Sequence, residues 1–244
     1  MLEVKIKSLL EGAKEAKGIT VIIDVFRASN NISLVLDKGA KEVIPIADLE
    51  ESLALMGAHP EYIFMGERDG TKVPEFQYGN SPSEIDKGYF TGKTVSINTT
   101  SGTLGIANAT LADQLLIGGF ANSPAIEEYI KREEERLYDG KNPVVVTLVP
   151  IGWAGKTPAF EDEAYAKYLQ DRLNGNPTSS KDVIQEILDA EFTERFFDEK
   201  DKDFPLWDLG YCLTPGIFNN VPRVYDINGQ STIRDALKYN PRSS

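Results

Sequence analysis

Short apolar runs bounded by turn residues recur along the chain and alternate with stretches of helical spacing. Residues 2–7 alternate apolar and polar, the pattern of a half-buried strand. Residues 19–24 are a continuous apolar or β-branched run into Asp24, which predicts a strand buried on both faces of a parallel sheet. Residues 42–46, 62–65, 94–97, 114–117, 144–150 and 221–226 predict further strands, and 144–150 has the strongest β character. Between them, Ile32, Val35 and Leu36 recur at helical spacing with Gly39 as the stop. Leu49, Leu53 and Met56 share one side of a helix behind Asp48, with Glu51 three places on as in a capping box. Helices are also predicted over 104–112, from an N-cap at Ser123 with Pro124 behind it to Tyr138, over 161–173, over 182–199 and over 207–212. This alternation predicts an α/β fold, a largely parallel sheet flanked by helices. One domain spanning 1–244 is expected, with the linker at 174–180 as the candidate boundary of a second lobe around 180–220. The tail beyond Tyr239 is expected to be loose.

Composition narrows the function classes. The chain has 244 residues, 41% of them hydrophobic, enough for a sizeable core. A formal net charge of −12 leaves no basic excess for phosphate backbones, so no nucleic-acid partner is expected. Part of the acidity, Glu127, Glu128, Glu133, Glu134 and Glu135, falls on one predicted helix and reads as a solvated face. A single cysteine, Cys212, excludes an internal disulfide and makes a reducing, cytoplasmic setting the expectation. The first residues carry no apolar core of a signal peptide, and no run approaches the roughly 20 residues of a spanning helix, so no membrane partner is expected.

Several familiar active sites fail on spacing. A haloacid-dehalogenase-type phosphatase needs a second aspartate two places after the first; Phe26 stands there. A cysteine phosphatase needs an arginine six places after its cysteine, and Phe218 occupies that position. His59 is the only histidine, so multi-histidine zinc sites are out. Gly155-Lys156-Thr157 and Gly92-Lys93-Thr94 resemble the end of a P-loop, but its first glycine would fall on Pro150 or Lys87.

What remains is a set of predicted strand ends bearing carboxylates, arginines and small polar residues. Asp24 and Arg27 end one strand, either as parts of a metal-plus-anion site or as an ion pair that orders the turn. Glu67 and Arg68 end another. Thr99-Thr100-Ser101-Gly102-Thr103 ends a third and opens a helix, where unpaired N–H groups favour an anion; an ordinary capped turn is the other reading. Asn80 and Ser81 lie in a turn that is a second possible donor loop. Glu161 and Asp162 open the helix after the longest strand. Carboxylates without histidine or cysteine suit Mg²⁺, bound through one or two of them plus water and substrate phosphate.

The segments Ile23-Asp24-Val25-Phe26-Arg27-Ala28, Gly66-Glu67-Arg68, Gly79-Asn80-Ser81-Pro82, Thr99-Thr100-Ser101-Gly102-Thr103 and Glu161-Asp162 resemble the 2-phosphosulfolactate phosphatase family in order and spacing. Gly39-Ala40-Lys41-Glu42-Val43-Ile44-Pro45 and Asp208-Leu209-Gly210-Tyr211-Cys212 also look like it. The resemblance implies a family-specific α/β fold and a Mg²⁺-dependent acid phosphatase. Its reaction would convert 2-phospho-3-sulfolactate to 3-sulfolactate and phosphate on the route to coenzyme M, in a homodimer. The chain departs from the family at Phe26 (usually Leu), Ser29-Asn30 (usually Thr-Thr) and Ser101 (usually Asn). The resulting expectation has Asp24, Glu67 and Glu161 as metal ligands, with Asp162 the alternative to Glu161, and Asp24, Arg27 and Asp162 in catalysis. A carboxylate near the metal, Asp162 for one, would accept the water's proton, and spacing does not fix which carboxylate binds metal and which is the base. Arg68, Asn80, Ser81, Thr99, Thr100, Ser101, Gly102 and Thr103 would bind substrate, with Arg68 on the sulfonate or carboxylate. A phosphatase for another small phosphorylated or sulfonated acid, and a non-catalytic anion-binding protein, are the alternatives.

Overall fold

The computed structural model describes residues 1–239 and residue 241; the expected loose tail otherwise lies outside them. Among the described residues, ten strands form a single ladder. In chain order they are β1 (Leu2–Ile6), β2 (Gly18–Ile23), β3 (Glu42–Pro45), β4 (Ile63–Arg68), β5 (Thr71–Lys72), β6 (Thr94–Asn98), β7 (Ala112–Gly118), β8 (Val144–Pro150), β9 (Pro222–Ile227) and β10 (Gln230–Asp235). Their spatial order is β1-β8-β2-β7-β9-β10-β3-β6-β4-β5. The α helices are α1 (Leu9–Glu15), α2 (Ala28–Asp37), α3 (Leu49–Ala58), α4 (Pro82–Ile85), α5 (Gly102–Asn108), α6 (Ser123–Leu137), α7 (Phe160–Leu173), α8 (Ser180–Leu188) and α9 (Asp208–Leu213). None is long and apolar enough to cross a membrane.

The α/β class is as the alternation predicts, and the sheet is mixed. Strands β1, β8, β2 and β7 are mutually parallel, as are β3, β6 and β4. The hairpin β9–β10 joins the two groups through three antiparallel pairings. The groups therefore run in opposite directions along the ladder. A right-handed twist of roughly 20–25° per strand accumulates to on the order of 100° over the five steps from β2 to β6. Helix α5, leaving β6, lies directly on β2 and on the exit of β8. A Cβ on its Gly105 would stand 3.0 Å from Ile151 and 3.2 Å from Ile22.

Strand β2 is buried along nearly its whole length because both faces are covered. Ile22 packs with α2 residues Ile32 and Val35 in one core, while Ile19, Val21 and Ile23 pack with Ile126, Tyr165 and Leu169 of α6 and α7 in the other. Period-2 alternation between two apolar environments leaves no polar face, hence the unbroken apolar run. Residues of the segment 180–213, including Ile187, Phe196 and Phe204, join that second core.

Four local expectations change. Helix α6 begins at Ser123, and its cap is Asn122, whose Oδ1 accepts from the amide of Gly119 at 3.0 Å. The helix expected over 182–199 is α8 followed by a 3₁₀ turn over Glu191–Phe197. Helix α1 has no counterpart in the sequence reading; it contains Gly12, where an added Cβ would meet the Lys7 carbonyl oxygen at 2.1 Å. Strand β10 also went unpredicted, since only Ile233 gives it an apolar anchor.

Candidate functional site

A cavity of about 540 Å³ opens where the ends of β2, β8 and β4 meet the loop before α5. Its buried polar lining is Asp24, Arg27, Glu67, Asn80, Ser101, Glu161 and Asp162. Its remaining wall carries the aromatic rings of Phe26, Trp153, Phe160, Phe192 and Phe204 among smaller residues.

Each carboxylate is fixed by a different local device. Asp24 follows β2, and its Oδ1 accepts from the Ala28 amide at 3.1 Å in the first turn of α2. The Gly102 amide also donates to it. A Cβ at Gly102 would lie 2.7 Å from the Ala28 Cβ and 2.9 Å from Asp24 Oδ2, so only glycine lets α5 approach this closely. Glu67 accepts from the amides of Gly70 and Thr100, each at 2.7 Å, and from the Thr100 hydroxyl at 2.9 Å. Asp162 accepts from the Val25 amide at 2.7 Å with Oδ1 and from the Gly152 amide at 3.0 Å with Oδ2. It thus ties the exits of neighbouring strands β2 and β8 together. Among the described residues, Glu161, one residue earlier, has no hydrogen bond to another residue; its carboxyl is met by its own amide.

These acids sit in a strained electrostatic setting. Burial pushes the Asp24 carboxyl up to about 6; the Ala28 amide opposes the rise and the Glu67 charge adds to it. Burial pushes Glu161 up to about 7, with the Asp24 charge reinforcing it. Asp162 is driven well above the ordinary carboxylate range by burial, then by Glu161 and Asp24, against the two amides that bind it. Desolvation and like charge act together on these clustered carboxylates, and the Arg27 charge offsets them only in part at Asp24.

Among the described residues, Arg27 is the single basic residue lining the cavity. Its Nη1 donates to Asp208 Oδ2 at 2.6 Å and to the Asp203 carbonyl at 2.7 Å. Its guanidinium lies 4.4 Å from the centre of the Phe204 ring, and Nε–H has no partner. Asp208, fully buried, also accepts from the Ser81 hydroxyl at 2.8 Å and the Ser83 amide at 3.0 Å. It opens α9, and no spacing in the sequence singled it out: it lies 181 positions from Arg27.

The structure brings Asp24, Arg27, Glu67, Asn80, Ser101, Glu161 and Asp162 to one cavity and leaves other expected residues outside it. Arg68 lies outside it: its Nη2 donates to the Ala47 carbonyl at 2.6 Å, and it lines a separate depression with Asp48, Leu49, Thr99 and Thr100. The turn at residues 99–103 is also reassigned. Thr99 and Thr103 bond each other, Thr100 binds Glu67 and Gly102 binds Asp24. Two of the N–H groups expected to hold a substrate anion, those of Thr100 and Gly102, bind the protein's own carboxylates. Ser81 is spent on Asp208, while Ser101 Oγ accepts from the Ala154 amide at 2.9 Å and keeps its O–H to donate. Asn80 Oδ1 accepts from Asn31 at 2.7 Å.

Among the described residues, no three His, Cys, Asp or Glu side chains form a closed metal-binding group. The donor chemistry nevertheless fits a hard divalent cation that keeps several waters. Asp24 and Glu67 feel each other's charge, both are held in place by amides, and a cation would relieve the repulsion.

A family model described as 2-phosphosulpholactate phosphatase matches residues 4–226. The chain is 38% identical over 220 residues to a "Probable 2-phosphosulfolactate phosphatase" of Clostridium tetani (strain Massachusetts / E88), covering 83% of this chain and 88% of that protein. It is 28% identical over 195 residues to the protein of that name from Bacillus subtilis (strain 168), covering 80% and 81%. The corresponding Thermoplasma acidophilum protein is 28% identical over 214 residues, covering 85% and 86%. These matches place the molecule among the phosphatases, the phosphoric monoester hydrolases. The chain belongs to the 2-phosphosulpholactate phosphatase family, as its motifs suggested.

Proposed function

We propose that this protein hydrolyses 2-phospho-3-sulfolactate to 3-sulfolactate and phosphate, with Mg²⁺, in the cavity floored by Asp24, Glu67 and Glu161. Family membership and the relatives' names support the substrate. The observation that carries the site assignment is the convergence of buried carboxylates with one ion-paired arginine at the ends of β2 and β4. Asp24 and Glu67 would hold the ion. Bound there, Mg²⁺ supplies positive charge against the phosphate oxygens and lowers the pKa of a water.

The chain's own groups do the rest. Arg27, oriented by Asp208, presents its guanidinium to a phosphate oxygen as charge spreads in the transition state. The Ser101 hydroxyl donates to another. Glu161 takes a proton from the attacking water as the oxygen bonds to phosphorus, the ester P–O bond breaks, and the departing alkoxide takes a proton from solvent to leave as the alcohol while Glu161 returns its own to solvent. An acid with a pKa near 7 is matched to that task, and its freedom from other residues lets it turn. Asp162, with both oxygens bound to amides, positions the strand ends, which replaces the proton-accepting role expected from the sequence. A homodimer and a place on the coenzyme M route belong to this reading, supported by the family resemblance and the frequency of twofold assemblies.

Phosphate release from 2-phosphosulfolactate, with Mg²⁺ and with a chelator, tests the proposal. Mg²⁺-dependent turnover that exceeds that of 2-phospholactate is expected. Equal turnover of the two would remove the sulfonate from the assignment, and no turnover of either would remove the chemistry.

A further inference from the structure

The polar floor occupies only part of the cavity. The rest of the wall includes Phe26, Trp153, Pro158, Phe160, Phe192 and Phe204. Trp153 and Phe160 are 39% and 49% exposed, so they stand at the opening, while Phe204 is buried beside Arg27. A volume of about 540 Å³ lies in the range that encloses a drug-sized ligand, well beyond the needs of a three-carbon ester. The charge pattern is lopsided as well. Asp24, Glu67, Glu161, Asp162 and Glu191 face one guanidinium, and that guanidinium is already paired with Asp208. Away from the polar floor, Trp153 and Phe160 border the opening.

The rings are also positioned to stay. Phe26 contacts Phe196 at 4.9 Å and stacks with Phe192 at 6.3 Å between centroids. Phe204 meets Phe192 and Phe196 edge-on at 6.0 and 5.3 Å. The Trp153 loop is tied to the floor through the Ala154 amide and Ser101. A rigid aromatic wall beside a polar floor recognises a flat or branched apolar group by burial and ring stacking.

We propose that this site also hydrolyses larger phosphomonoesters, whose alcohol carries an uncharged apolar substituent of about one aromatic ring, seated against Phe26, Trp153 and Phe192. The inference rests on the phosphatase reading of the same cavity and extends its substrate class. The reaction balances as before: water bonds to phosphorus and gives a proton to Glu161, the ester P–O bond breaks, and the bulkier alkoxide takes a proton from solvent to leave as the alcohol.

Three matched substrates test it: 2-phospholactate, 2-phosphosulfolactate and 2-phospho-3-phenyllactate, which differ only in a methyl, sulfomethyl or benzyl group. With Mg²⁺, kcat/KM for the benzyl ester is expected to exceed that for the methyl ester at least about tenfold, as burial of several carbons implies. Phe192→Ala and Trp153→Ala should each cut the benzyl-to-methyl ratio several-fold. A benzyl ester turned over no better than the methyl one overturns the inference and leaves the phosphatase reading intact. If no ester is turned over, thermal-shift titration with benzylphosphonate and methylphosphonate decides separately. Tighter benzylphosphonate binding, lost in Phe192→Ala, keeps the apolar subsite while the phosphatase reading falls. Equal binding removes the subsite too.

Discussion

Glu161→Gln is expected to lower kcat by 10²–10⁴-fold at neutral pH, the usual worth of a positioned general base, with KM little changed. The same substitution should alter how stability depends on pH. In a chelator-treated protein, Asp24 and Glu161 have folded pKa values of about 6 and about 7, against ordinary values of 3.8 and 4.5. The folded state therefore keeps protons that the unfolded chain has released. Its stability from these groups is fully present below about pH 4 and is lost as pH rises through 6 and then 7. For Glu161 the loss is on the order of 3 kcal/mol, at about 1.4 kcal/mol for each pKa unit. Melting temperatures between pH 5 and 8 should fall steadily in the wild type, with a shallower slope in Glu161→Gln, and Mg²⁺ should restore most of the loss at pH 8. A pH-independent melting temperature in the metal-free wild type would contradict the electrostatic description of the cavity.

Asp208 carries the second large effect. It is buried and holds Arg27, Ser81 and the Ser83 amide at once. In Asp208→Ala, Arg27 keeps its charge but loses its partner in the interior, a change that costs about 3–5 kcal/mol. The guanidinium would also lose its fixed direction, and a misplacement of about 1 Å in a positioned group costs on the order of 100-fold in rate. Asp208→Asn separates the two effects. An amide can still accept from Ser81 and Ser83 with its oxygen, but it turns an NH₂ toward Arg27. Urea unfolding should show a smaller loss for Asn than for Ala, whereas phosphate release should drop at least about tenfold in both. Wild-type turnover in a folded Asp208→Asn protein would show that Arg27 needs no such support.

The sequence was most legible where physical constraints are local. The run into Asp24 announced a strand buried on both faces, and Asp48 does cap α3, accepting from the Glu51 amide at 2.9 Å. The carboxylates at strand ends were visible for the same reason, since each follows directly from its own apolar run. Three features depended on distant partners and stayed hidden. Strand β10 is ordered by pairing with β9 and β3 and shows little pattern of its own. The pairing of Arg27 with Asp208 joins opposite ends of the chain. The donors of residues 99–103 looked available to a ligand because only the folded protein brings Glu67 and Asp24 to them. Arg68 shows the complementary limit. Its place at the end of β4 was legible, while the direction of its side chain was set by the Ala47 carbonyl.

The most direct test of the central claim is phosphate release from 2-phosphosulfolactate by wild type and Asp24→Asn, compared at equal folded concentration with saturating Mg²⁺. The account predicts turnover in the wild type and a loss of at least about 10³-fold in the variant, because one substitution removes a charge from both the metal-holding pair and the field around Glu161. Turnover by Asp24→Asn within a few-fold of wild type would mean that the reaction is carried out somewhere other than this cavity.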